Sequence, residues 1–552
     1  MGNKSENKNN NYLVQGTILV IASFIARAIG MIYRIPLTNI LGNQGNAYYS
    51  TANDIYMIIL LVSSFSLPLA VSRLVSERRH RGEHRNAHRV FKCSIRFALV
   101  SGGIMSILTF ASAGFVTKDL MSNDLAHYAL RVLSPAIFIA AIVGSFRGFF
   151  QGHETMVPTA ISQVIEQLVN AVVTVIFAGV MMNYGLKIGE ETGNTLMGPA
   201  FGAAGGTFGT VVSLAIAFLF MIAVYSSYQR SFKRKLRRDT SSIRESDRSI
   251  YLALFMTIIP IVLSTVIYNI STVIDQGIFN KVLGDQGCTV EQYNDIWGIY
   301  VGKFRVLMNV PLSIASCLAP SVVPSMTAAV QDRNWKEARI KVRDTIRYTM
   351  IFTIPCAVGM AVLASPIMKL LFRDHMSLTS GIMQHGALLI ILLGLSTITT
   401  GILQGLCKLQ APLVNTFIAL VLHIIALLIM LKHPMFKLNI YAVLYSNILF
   451  ALIICILNAY SIRRYIRYKQ ETKKTFIIPV IASGIMGLAA YGVYYLFYLY
   501  AGNAISTIVA ILTGVIAYIV LLIKLRGISE RELIGFPKGT LIVNILRKCR
   551  IL

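Results

Sequence analysis

The sequence predicts an all-α polytopic membrane protein with about fourteen transmembrane helices, and three observations carry that reading. Apolar runs of about 20 residues recur almost end to end, the length a helix needs to cross a hydrocarbon core. The 552 residues are 55% hydrophobic and only 14% charged, with a mean hydropathy of +0.64, whereas soluble domains carry about 25% charged residues. The positive charge falls in alternate loops, which is how a chain records which loops stay inside.

In chain order, spans near 12–41 and 53–75 precede the basic stretch SERRHRGEHRNAHRVFK (76–92). Spans near 93–116, 126–150 and 157–183 lead to the acidic GLKIGEETGNT (185–195). A span near 200–224 runs into the basic 229–248, and one near 250–280 into the acidic GDQGCTVEQYND (284–295). Next come a span near 296–325, the basic 333–347, and spans near 347–371, 378–406, 411–431 and 438–461. The basic 463–474 then precedes spans near 476–500 and 504–524 and a basic tail from Arg526. Every basic loop lands on one side, so the chain is predicted to be multi-pass in a bacterial plasma membrane with both termini cytoplasmic. The net charge of +27 is therefore topology and attraction to anionic membrane lipids, and nucleic acid is not expected as a partner. The first helix is expected to be retained, since no small-residue cleavage site follows a short apolar region.

Seven cysteines show no CxxC spacing and imply neither a disulfide framework nor a metal site. HRGEH (80–84) matches a zinc-peptidase pattern. Five arginines crowd it, however, and Gly82 weakens the helix that ligation would need, so it reads as a solvated basic loop. No phosphate-binding loop or nucleophile elbow is present, so no enzymatic activity or cofactor is expected. Energy would come from the membrane potential or from a coupling cation, Na+ or H+.

Local matches recur at nearly one offset. LPLAVS (67–72) pairs with APSVVPS (319–325), RGFFQG (147–152) with GILQG (401–405), and Pro158 with Pro412. Six helices separate the equivalents, and an even number preserves orientation. Two parallel six-helix pseudo-repeats about an axis along the membrane normal are therefore expected, around a central cavity. They are an N-lobe at 1–228 and a C-lobe at 249–466, joined by the basic linker 229–248. Helices thirteen and fourteen (467–525) and the basic tail 526–552 lie outside the repeat. Prolines 68, 260, 311, 320 and 355 permit the bends that an opening cavity needs.

An Arg at the bilayer centre costs about 2.5–3.5 kcal/mol on insertion scales, so Arg27 and Arg34 in the first span need a reason. Two helical turns apart, they mark one face directed at protein or water. Lys303 and Arg305 lie just below the outer surface, while Arg73 and Arg147 lie near inner helix ends. Glu166 and Asp275 are the internal acids, suited to pairing with an arginine or to holding a coupling cation. Cations outnumber acids, and a planar guanidinium engages two oxygens of a phosphate. The expected cargo is an anion; an organic-cation exporter would want acids.

The stretches IARAIGMIYRIPLTNILGNQG, LPLAVSRLVSE, RGFFQGHETMVPTAISQVIEQ and NVPLSIASCLAPSVVPSM resemble the SpoVB/YtgP branch of polysaccharide-biosynthesis proteins. That branch belongs to the multidrug/oligosaccharidyl-lipid/polysaccharide exporter superfamily and is related to the MurJ lipid II flippases. The resemblance runs through most of the first twelve helices. It implies fourteen helices in two lobes around a cationic cavity, with a lipid-side groove on helices thirteen and fourteen. The implied activity is flipping of undecaprenyl-pyrophosphate-linked peptidoglycan precursor, lipid II, beside cell-wall synthesis proteins. Arg27, in A-R-x-x-G, matches the first arginine of that family's helix-one pair. Arg34 matches the second with a spacing of seven rather than six, Arg305 before Pro311 matches the helix-eight arginine with a similar shift, and Arg73 stands in helix two. The remaining readings are a flippase for another lipid-linked glycan (capsule, teichoic-type or spore-cortex precursor), a cation-coupled small-molecule antiporter, and a non-transporting scaffold.

Overall fold

A computed structural model of the chain describes residues 19, 21–65, 67–237, 239, 245–408, 410–432 and 439–528. Both termini, including most of the basic tail at 526–552, lie outside the described residues. Among those described, the chain is helical without strands, and ten helices are long and apolar enough to cross a membrane. Two of the ten, Arg34–His80 and Lys473–Lys524, contain a glycine in the left-handed region, Gly42 (φ 63°) and Gly502 (φ 69°), where one helix gives way to another. The number fourteen is not established by this tally. The breaks expected near 150–157 and 406–411 are present, because helices end at Gly152 and Gly405 and restart at Val157 and Gln410.

The chain forms two compact units, Met1–Gly302 and Lys303–Leu552. The first contains α1 (Ile21–Ile32), α2 (Arg34–Leu60), α3 (Leu67–His80), α4 (His84–Phe115), α5 (Ala126–Gly152), α6 (Val157–Thr192), α7 (Met197–Arg237), α8 (Asp247–Asp285) and α9 (Val290–Ile299). One π-helical turn, Leu61–Phe65, precedes Pro68, and a second, Tyr300–Phe304, precedes Pro311.

Two departures from the sequence reading stand out here. Residues 43–52, expected to be a loop, are helical and buried. Three of their polar side chains bond to the helix itself: Asn46 donates to the Gly42 and Thr38 carbonyls, and Ser50 and Thr51 to the Ala47 carbonyl. The polarity that reads as loop is thereby consumed locally. The basic stretch 76–92 is also not simply solvated. Arg78 donates twice to Glu245, Arg79 pairs with Glu154, Arg89 with Asp247, and the Arg85 backbone donates to Asp239. Arg89 holds the exposed Asp247 carboxyl below its ordinary range. α7 meanwhile continues to Arg237, through half of the expected linker.

Packing in unit one rests on glycine, which lets apolar helices approach closely where lipid gives no hydrophobic drive. A Cβ at Gly209 of α7 would stand 2.6 Å from the Thr174 backbone nitrogen on α6, and one at Gly185 would stand 2.8 Å from the Phe201 Cβ. On α5, a Cβ at Gly148 would stand 2.7 Å from the Pro68 carbonyl, and one at Gly152 would stand 2.7 Å from the Val75 Cβ of α3. The two motifs RGFFQG and LPLAVS thus lie against one another.

The second unit contains α10 (Arg305–Gln331), α11 (Trp335–Val362), α12 (Ala364–Phe372), α13 (Ser377–Gly405), α14 (Gln410–Lys432), α15 (Ile440–Ile466) and α16 (Ile478–Lys524). It repeats the same contact between the matching motifs. A Cβ at Gly401 would stand 3.0 Å from the Ala319 Cβ, and one at Gly405 would stand 2.8 Å from the Met326 Cβ of α10. Sequence offset and packing agree on the repeat. α16 is tied to α11 by the Tyr518 hydroxyl, which donates to the Ile351 carbonyl at 2.6 Å.

Leu in place of Gly148 or Gly405 should separate the motif pair in its own unit. Overpacking of this kind costs about 1–3 kcal/mol, and the purified protein's melting temperature should fall. Gly484→Ala meets nothing within 4 Å and should not lower it. Equal melting of all three variants would contradict this packing account.

Candidate functional site

The site assembles where α1 and the start of α2 lie along α6. The backbone stays helical through Tyr33 (φ −71°, ψ −18°), so Arg27 and Arg34 keep nearly the same face. α6 answers with polar residues at spacings of four, three and four: Gln163, Gln167, Asn170 and Thr174. Ser23 donates to Gln163 Oε1 at 3.2 Å, and Gly30 leaves room for Gln167 Oε1, which a Cβ there would meet at 3.3 Å. Asn170 Nδ2 donates to the Tyr33 hydroxyl at 3.1 Å, and Asn170 Oδ1 accepts from Thr174 at 2.9 Å. Between membrane helices such bonds contribute only about 0.6 kcal/mol each. The seam therefore gives polar surroundings more than it gives stability.

Arg34 is half-buried with its guanidinium 4.7 Å from the Tyr49 ring centroid, a cation–π contact. Arg27 is exposed on α1, four residues after Ser23 and three before Gly30. Arg147 reaches the neighbouring face of α6 from α5, with Nη2 2.7 Å from Glu166 Oε2 and Nε donating to the Ser162 hydroxyl at 2.9 Å. Its charge is already answered. Of the sequence candidates, this region gathers Arg27, Arg34, Arg147 and Glu166.

The other candidates lie elsewhere. Arg73 is exposed on α3. Asp275 is buried on α8 next to Gln276, in a second polar cluster where Gln276 and Asn123 both donate to Thr51 and Asn294 donates to Asn123. Lys303 and Arg305 belong to unit two. The Lys303 ammonium is buried 2.7 Å from Asp374 Oδ2. Burial alone would raise the Asp374 carboxyl, but hydrogen bonds from Lys303, Thr379 and the Met376 backbone hold it below its ordinary range. Arg305 is half-buried at the start of α10.

Sequence reasoning missed three things. The amide stripe Gln163–Gln167–Asn170 was legible as polar spacing inside an apolar helix. Asp374 lies 71 residues from Lys303, and no local signal joins them. Asp54, half-buried on α2, is a further acid inside a helix. It escaped notice because the residues before it looked like loop, and it narrows the excess of internal cations.

The Arg147–Glu166 pair generates a direct test. Removing one partner of a largely buried pair strands the other; for side chains 15% and 20% exposed a loss of about 1–3 kcal/mol is expected. Glu166→Gln and Arg147→Met should each lower thermal stability, and the double variant should recover part of the loss. Additive losses would show that the two charges are not coupled.

Comparison with known proteins places this architecture. The model of the family described as polysaccharide biosynthesis protein matches residues 13–330, more than half of the chain. The lipid II flippase MurJ of Bacillus subtilis (strain 168) is 25% identical over 494 residues, covering 86% of this chain and 87% of that protein. A solved structure of lipid II flippase MurJ in an inward closed conformation matches with a TM-score of 0.62 at 15% identity, covering 92% of this chain and 98% of that one. A multidrug resistance MATE family transporter of the MOP superfamily, inward-facing, also matches at 0.62, with 17% identity over 80% of this chain and 94% of its own. The two structures share the fold and differ in cargo, so the fold alone does not choose between them. The chain is a multi-pass membrane protein with the fold of the MOP superfamily, and it belongs to the polysaccharide biosynthesis protein family.

Proposed function

We propose that the protein is a transporter, not an enzyme: a flippase that carries a lipid-linked glycan precursor from the inner to the outer leaflet of a bacterial plasma membrane. The observation that carries this reading is the pair Arg27 and Arg34 inside an apolar stretch, one on α1 and one at the start of α2, next to residues that bond to the polar stripe of α6. Planar guanidinium groups, each able to engage two oxygens, suit the diphosphate of such a precursor. The relative that covers most of the chain is a lipid II flippase, which favours lipid II as the cargo. The glycan head would cross by alternating access, with Arg305 as a further cation for it, while the polyprenyl tail stays in the bilayer. Both termini would be cytoplasmic. Glu166, paired with Arg147, serves charge balance. The membrane potential or a Na+ or H+ gradient resets the carrier, with Asp275 the acid suited to a coupling cation.

A second lipid-linked glycan is favoured by one observation, the spacing of seven between Arg27 and Arg34 where the related flippases have six. The MATE-like fold keeps small-molecule export in view, but that chemistry calls for acids in the place of these arginines.

Arg34→Ala and Arg305→Ala should each abolish complementation of a flippase-depleted strain while the protein stays in the membrane. Normal growth of both variants would defeat the assignment. Retention of lipid II over other undecaprenyl-linked sugars in native mass spectrometry would choose the cargo.

A further inference from the structure

Unit two holds a cavity of about 570 Å³ between α11, α13, α15 and the segment leading to α16. That is within the size range of small-molecule sites, about 300–1,000 Å³. Its walls are mainly apolar, with Ile346, Leu395, Cys455, Ile462 and Phe476 among them. The polar groups behind it are occupied with one another. Asn458 donates to Thr399 and Thr400, and Asn415 donates to Asn458 and Ser461.

The mouth differs from the walls. Arg463, in the last turn of α15, and Lys469 both line it and are exposed. Tyr468 lines it too, and its hydroxyl is buried, with the Arg343 guanidinium, the Glu471 backbone and the Glu471 and Asp344 carboxylates near it. A greasy interior with two exposed cations and a tyrosine hydroxyl at one rim matches an amphiphile with an anionic head. Basic pockets between membrane helices on the inner side bind anionic headgroups for this reason.

We propose that this cavity is a binding site for a lipid with a net anionic phosphate head, its phosphate held by Arg463, Lys469 and the Tyr468 hydroxyl and its chain against Leu395 and Phe476. The site lies wholly within unit two and does not depend on the transport reading. Two sources share the chemistry, a phospholipid of the bilayer and a polyprenyl phosphate.

The full-length protein, released from membranes and reloaded with phosphatidylglycerol, phosphatidylcholine or a polyprenyl phosphate, is weighed by native mass spectrometry. One of the two anionic lipids should be retained and phosphatidylcholine should not; the better retained of the two names the source. Arg463→Ala with Lys469→Ala should weaken retention by about tenfold or more, while Arg464→Ala, which does not line the cavity, should leave it unchanged. Ala459→Trp, which keeps both charges and fills the interior, should also lose the lipid. Equal retention by the double variant, unaltered retention by Ala459→Trp, or full displacement by glycerol phosphate alone would each overturn the proposal.

Discussion

A guanidinium group inside a bilayer must find polar company, and much of unit one can be understood from that constraint. α6 carries amides at helical spacing where α1, with Arg27, and the start of α2, with Arg34, lie alongside it. Gly30 keeps the two helices close enough for Gln167 to reach the backbone of α1. α5 brings a third arginine, and there the fold supplies a carboxylate, Glu166. One helix thus presents amides to Ser23 and Tyr33 along one face and a carboxylate to Arg147 on the next.

Glycine makes this arrangement compatible with a membrane. Between lipid-exposed helices the gain comes from close packing, and each unit obtains it from the same motif pair. Gly148 and Gly152 receive α3, and Gly401 and Gly405 receive α10. A sequence repeat that looks weak residue by residue is therefore a repeated contact. Its proline and glycine positions persist because a side chain there has no room.

Much of this was legible in the sequence, for definite reasons. Long apolar runs and alternate basic loops follow from the solvent, so the spans and their order could be read directly. The repeat could be read because a packing contact fixes small residues at a constant offset. Residues 43–52 could not, since their polar side chains bond to the helix that carries them and look like loop until the helix exists. The Lys303–Asp374 pair and the contacts of the basic stretch 76–92 with Glu245 and Asp247 join residues distant in sequence, so charge counting misread them as surface. Arg27 and Arg34 were found because a charge in an apolar run is conspicuous. The amides that surround them are less so, and Asp54 was hidden by the misplaced helix boundary.

The central claim is that the Arg27 face of α1 meets a hydrated, anion-attracting space and not lipid. In a cysteine-free background, Arg27→Cys can be compared with Leu108→Cys on the apolar exposed face of α4 for reaction with a charged, membrane-impermeant thiol reagent. The account predicts rapid labelling at position 27, faster with an anionic than with a cationic reagent, and almost none at 108. Equal and slow labelling at both positions would contradict it.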